Sequence, residues 1–121
     1  MAKTFTKAIL SGSTSGKGVL VVATATAGTL IHTAVAGAVS LDEIWLYAVN
    51  IHSSAVTLTV EFGGVSVTKD IIQQSIAATP SGLVLVCAGL VVQGNATAKV
   101  IRAFAGTASK IELFGFVNRI T

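Results

Sequence analysis

The sequence predicts an all-β chain folded as a single-domain β-sandwich, jelly-roll-like, with about eight short antiparallel strands. Three observations carry this. Apolar and polar residues alternate with period two, most regularly in Leu41 to Gly64, LDEIWLYAVNIHSSAVTLTVEFGG. Val and Thr are abundant, and β-branched side chains fit a pleated surface better than a helix. Turn signals rich in Gly, Ser, Asn and Pro recur between the alternating segments. Successive side chains on a strand point to opposite faces, so Trp45, Tyr47, Val49 and Ile51 form one row and Val56, Leu58, Val60 and Phe62 another. The expected core is therefore Trp45, Tyr47, Val49, Val56, Leu58, Val60 and Phe62, with His52-Ser53-Ser54-Ala55 joining the two strands.

The remaining elements follow in order. Lys3 to Leu10 is a short strand or extended arm, and Ser11 to Gly18, SGSTSGKG, is loop by composition. Residues 1–18 thus read as a partly flexible N-terminal arm and loop on a domain spanning 1–121. A strand begins at Val19, Gly28 turns the chain, and Thr29 to Val35 is extended. After the central hairpin, Val65 to Asp70 alternates and reads as a strand. Asp70 to Ala78 is ambiguous: Ile72 and Ile76 have helical spacing, but the segment is short for a stable helix. Thr79-Pro80-Ser81-Gly82 is a turn. Leu83 to Val92 is a nearly unbroken apolar run, as in a strand covered on both faces. Ala98 to Ala105 and Lys110 to Arg119 are the last strands. No repeat, linker or domain boundary interrupts the chain.

Composition narrows the function. Hydrophobic residues are 52% and charged residues 11% of the chain, against roughly 25% charged in a typical soluble domain. A surface so poor in charge suits a protein that buries much of its outside against partners. The net charge of +3 is scattered and not interleaved with aromatics, which argues against nucleic acid. Gly18 to Leu41 lacks charged residues, but Gly28, Gly37, His32 and Ala/Thr alternation describe two strands and a turn better than a membrane helix. Ala25-Thr26-Ala27 looks like a signal-peptidase site, yet the Ser/Gly-rich stretch before Lys17 is a poor signal peptide. The single cysteine, Cys87, reads as a buried small hydrophobe.

No motif supplies chemistry. Gly12 to Gly18, GSTSGKG, looks like a phosphate loop but has Ser11 at the first glycine position, Gly18 after Lys17, and no helix behind it. Gly12-Ser13-Thr14-Ser15-Gly16 places Thr14 where a nucleophile elbow needs serine. His32, His52 and Cys87 lack the paired spacing of a metal site, so satisfied or loop-end histidines are expected. Glu61 and Glu112 fall mid-strand and are expected to point to solvent or to pair with a neighbouring base such as Arg102 or Lys110. No catalytic, cofactor or metal residue is assigned, and the chain is not expected to be an enzyme.

What stands out is apolarity on both faces of strands. Ile44, Leu46 and Ala48 lie opposite the Trp45 row, and Phe114, Phe116 and Ile120 lie opposite Ile111 and Leu113. A sandwich has one inner face per sheet, so a closed barrel, a covering loop or a subunit contact must absorb the second rows. Phe5, Ile9, Ile44, Leu46, Phe114 and Phe116 are the expected partner-interface residues. DEIWLYAVNI (Asp42 to Ile51), VTLTVEFGG (Val56 to Gly64) and IRAFAGTASKIELFGFVNRI (Ile101 to Ile120) resemble small virion structural proteins of tailed bacteriophages. Some of these serve as capsid decoration or cement proteins. The resemblance covers about the C-terminal two thirds of the chain. It implies a non-enzymatic all-β module without cofactors that bridges the major capsid protein lattice and forms a homo-oligomer, a trimer being one option. Nucleic acid and membrane are not implied partners; the expected location is the virion head surface, reached from the host cytoplasm during assembly. A tail or head-completion component and a surface ligand-binding sandwich are the alternatives.

Overall fold

Alternating segments pair wherever one row can be buried, and in the computed structural model, which describes residues 3–121, nine of them do. They are β1 (Phe5–Ile9), β2 (Val19–Val21), β3 (Thr29–Thr33), β4 (Leu41–Asn50), β5 (Val56–Phe62), β6 (Ile71–Ile76), β7 (Val84–Gln93), β8 (Val100–Ala105) and β9 (Ile111–Ile120). The pairing is nested. β5 meets β6, β4 meets β7, β3 meets β8, and β1 and β2 meet opposite ends of β9, all antiparallel. β4·β9 and β5·β8 close the ladders. The result is one sheet ordered β1/β2-β9-β4-β7 facing another ordered β3-β8-β5-β6. With β1 and β2 taken as two halves of one strand, this is the strand order of an eight-stranded jelly roll.

The inner rows fill the space between the sheets. Ile44, Leu46 and Ala48 of β4, with Ile111, Leu113 and Val117 of β9, face Leu58 and Val60 of β5 and Ile101 and Ala103 of β8, all fully buried. Gly115 sits in the inward phase of β9 opposite Leu46, where a Cβ would meet the Trp45 carbonyl oxygen at 2.0 Å. Only a residue without a side chain lets β9 approach β4 so closely.

Three expectations need correcting. On β4 the two faces are exchanged: Ile44 and Leu46 are 0% exposed core, while Trp45, Tyr47 and Val49 form the outer row and are only half-buried. Both rows of this strand are apolar in the middle, so its ends set the phase. Asp42 and Asn50 share the Ile44 row and both find partners inside. The indole N–H of Trp45 finds its acceptor at Glu43, on the outer row. On β5 the row Val56, Leu58, Val60 is buried and Phe62 packs against it.

The second correction concerns Val65 to Asp70, which is a loop. Ser66 N–H donates to the Asp70 carboxylate, the Ser66 carbonyl accepts from Lys69 and Asp70, and Val67 is left 85% exposed. A local Asx-type closure takes the hydrogen bonds that a ladder would need. Third, the run Leu83 to Val92 is an edge strand with one side open, and Leu85, Leu90 and Val91 are exposed. Two register shifts against β4, with Gly89 at φ +73°, bend this edge. The ambiguous segment after Asp70 is extended, as β6, and buries Ile76.

Candidate partner interface

Strand register converts the outer row of β4 into a surface. Trp45 lies opposite Phe116, Tyr47 opposite Phe114, and Glu43 opposite Asn118. β1 extends these rows on one side, placing Ile9 beside Phe116, Lys7 beside Asn118 and Phe5 beside Ile120. β7 extends them on the other, with Ala88 beside Trp45 and Leu85 beside Tyr47. An apolar band therefore crosses the whole outer face of the sheet, from Ile9 through Phe116 and Trp45 to β7.

The centre of the band is held in place. The Trp45 and Phe116 rings stack at 5.9 Å between centroids and 7° between planes, an arrangement worth about 0.5–1.5 kcal/mol beyond area burial. Lys7 Nζ lies 4.7 Å from the Phe116 centroid, within cation–π range. Trp45 Nε1 donates to Glu43 Oε1 at 2.6 Å, and Asn118 Nδ2 donates to the same oxygen at 2.9 Å. These two donors, the indole first, hold the Glu43 carboxyl below its ordinary value against a smaller opposing effect of desolvation. Gly18 lies against the Phe114 ring, where a Cβ would come within 2.7 Å, so the 11–18 loop covers part of that aromatic. At the margin the side chains are open: Phe5 is 72% and Ile9 52% exposed.

Of the residues expected at a partner surface, Phe5, Ile9, Phe114 and Phe116 are brought together on this one face. Ile44 and Leu46 are not, because they point between the sheets. Trp45 and Tyr47, expected in the core, join the face instead.

Sequence reasoning missed a second constellation, which is buried. Asp42 of β4 accepts from Arg119 Nε and Nη2 at 2.9 Å each, from Val35 N–H at 3.0 Å, and bonds His32 Nε2 at 2.8 Å. Ser11 N–H donates to His32 Nδ1 at 2.9 Å, so that nitrogen is an acceptor and Nε2 carries the proton toward Asp42. Burial alone would raise the Asp42 carboxyl; the bonds from Arg119, His32 and Val35 outweigh it and leave the group below its ordinary value. The signal was present in the sequence: Asp42 is in phase with Ile44 and Leu46. This network ties β3 of one sheet to β4 and β9 of the other. His32 and Asp42 are 1% and 0% exposed, and the ring nitrogens and carboxylate oxygens are all engaged within this network, so the reading is structural.

The other singled-out residues are dispersed. Cys87 is buried and its thiol donates to the Ile44 carbonyl at 3.2 Å. Among the described residues no group of three or more His, Cys, Asp or Glu is placed to hold a metal ion, and no helix is long and apolar enough to cross a membrane. Ser11 and Gly12 of the glycine-rich loop spend their N–H groups on His32 Nδ1 and the Ile31 carbonyl. Glu112 is half-buried on the outer row of β9, whereas Glu61 is 1% exposed and makes no ion pair among the described residues. Neither solvent nor Arg102 is its partner. No protein-family model matches the chain, and neither does any curated protein or solved structure.

Proposed function

We propose that the protein is a non-enzymatic structural subunit of a phage virion, a capsid decoration or cement protein on the head surface. The observation that carries this reading is the apolar band across the outer face of the β1/β2-β9-β4-β7 sheet, ending in exposed Phe5 and Ile9. A charge-poor sandwich with one aromatic outer face fits a molecule that works by covering other protein surfaces. The resemblance of Asp42 to Ile51, Val56 to Gly64 and Ile101 to Ile120 to small virion proteins supports the same reading. The mechanism is mechanical. Each subunit lays its aromatic face across a seam of the major capsid lattice, with copies of itself alongside. An interface of roughly 1,600 Å² in total, about 800 Å² from each partner, is standard for a specific complex, and many such contacts on one shell reinforce each other.

Co-sedimentation of the purified chain with head shells of the phage that encodes it tests the reading. The exposed double variant Phe5→Asp/Ile9→Asp is expected to melt like the parent, since surface changes usually stay within about 0.5 kcal/mol, and to bind shells at least about tenfold more weakly, as loss of roughly 1.4 kcal/mol would give. A folded variant that binds normally removes this face from the contact. A parent chain that never co-sediments removes the capsid reading itself.

A further inference from the structure

On the opposite sheet, the outward positions of β5 are Thr57, Thr59 and Glu61, and the cross-strand neighbours of the last two on β8 are Phe104 and Arg102. An outward glutamate belongs in water, yet Glu61 is 1% exposed. The chain between β2 and β3 folds over it: Thr26 Oγ1 donates to Oε2 at 2.5 Å and Gly28 N–H donates to Oε1 at 2.7 Å. Arg102, the nearest base by register, donates instead to the Gly28 carbonyl at 3.2 Å. The ion pairs of the described residues all belong to Asp42, so this carboxylate is buried without one. An ionised carboxylate can accept about four hydrogen bonds, and two of those places are filled.

Beside it is a pocket of about 260 Å³. Thr24 to Thr26 line it together with Val65, Val67, Ile71, Thr59, Glu61, Gln73 and Phe104. Gln73 Nε2 is engaged with Thr59 Oγ1 at 3.1 Å, which leaves the Glu61 carboxylate as the strongest acceptor. Apolar walls, one aromatic ring and one acid without a cation describe complementarity to a cation on an aliphatic stem. From this pocket and its unpaired acid we infer that the outer face of the β3-β8-β5-β6 sheet holds a binding site for a primary alkylammonium group, the chemistry of a lysine side chain or a polyamine. The ammonium takes the free acceptor positions of Glu61, and its methylenes lie between Val65, Val67 and Phe104. The site is independent of the aromatic face on the other sheet.

Amide-detected NMR titration of the full chain with n-butylammonium, at constant ionic strength, tests the site. Saturable shifts of the Thr26 and Gly28 amides are expected, with n-butanol, the neutral analogue, binding at least tenfold more weakly to the same unmutated protein. E61Q is expected to lose the ammonium preference. Binding of Nα-acetyl-lysine methylamide or of spermidine at the same amides supports the site and assigns its source. No saturable shift, equal shifts with butanol, or an unchanged ammonium preference in folded E61Q overturns the proposal. The butanol comparison decides the matter even where E61Q fails to fold.

Discussion

Replacing Arg119 by methionine removes the one permanent cation paired with buried Asp42 among the described residues while keeping most of the side chain's apolar stem. Two charge-assisted hydrogen bonds of 2.9 Å are lost. At about 1.5–3 kcal/mol each the pair sets an upper bound of roughly 3–6 kcal/mol. Arg119 is 33% exposed, so water can reach part of the vacated place, and the expected loss at neutral pH is about 2–4 kcal/mol. For a domain of this size that is a drop in Tm on the order of 6–20 °C. The pH dependence is the sharper readout. In the parent chain the Asp42 carboxyl titrates below its unfolded value, so its contribution is present above the unfolded value and is lost as pH falls through the folded one. Without Arg119, burial acts with less opposition and the carboxyl titrates higher, so the variant loses less, or gains, on acidification. Thermal melts followed by near-ultraviolet circular dichroism between neutral pH and pH of about 3 should show the gap between parent and variant narrowing. A variant within about 1 kcal/mol of the parent, the range of an exposed pair, or a gap constant across this range, would refute the buried-pair account.

Two further substitutions test the fold. The exchanged faces of β4 predict that Leu46→Ala costs more than Trp45→Ala. The first empties a fully buried site, at about 2–5 kcal/mol. The second removes a stacked, half-buried ring and one hydrogen bond, at about 1–3 kcal/mol. Urea melts give the order, and a Trp45→Ala loss above that of Leu46→Ala would return the indole to the core. Gly115→Ala drives a methyl into the Trp45 carbonyl oxygen and should cost at least about 3 kcal/mol. Wild-type-like melting there would mean that β9 can move off β4 without loss.

The fold class was legible because it depends on period and punctuation, both local. The phase of β5 was legible too, since Thr57, Thr59 and Glu61 mark one side as polar. β4 has aliphatic residues on one face and aromatics on the other, so hydrophobicity could not choose between them. The choice is made by partners of Asp42 that are 10 and 77 residues away in the chain. Glu61 misled for the same reason: its donors come from Thr26 and Gly28, 35 and 33 residues distant. Val65 and Val67 alternate like a strand, but the Asp70 carboxylate captures the Ser66 N–H first. Four of the expected interface residues are on one face because β1 and β9 pair, which no window of local sequence displays.

The nesting of the strand pairs also orders the assembly of the molecule in time. The 63–70 loop lets β5 and β6 meet at little entropic cost, and once they have met, β4 and β7 are already near one another. Each pair thus shortens the search for the next one outward, like a zip drawn from the middle of the chain toward its ends. β1 and β9 close last, across nearly the whole sequence, and their terminal bonds between Thr4 and Thr121 are the most distant among the described residues. Such high contact order makes folding slow, and the last teeth to engage are the first to release. Phe5 and Ile9 belong to them, so hydrogen exchange of the β1 amides is expected to be faster than that of the β5 amides.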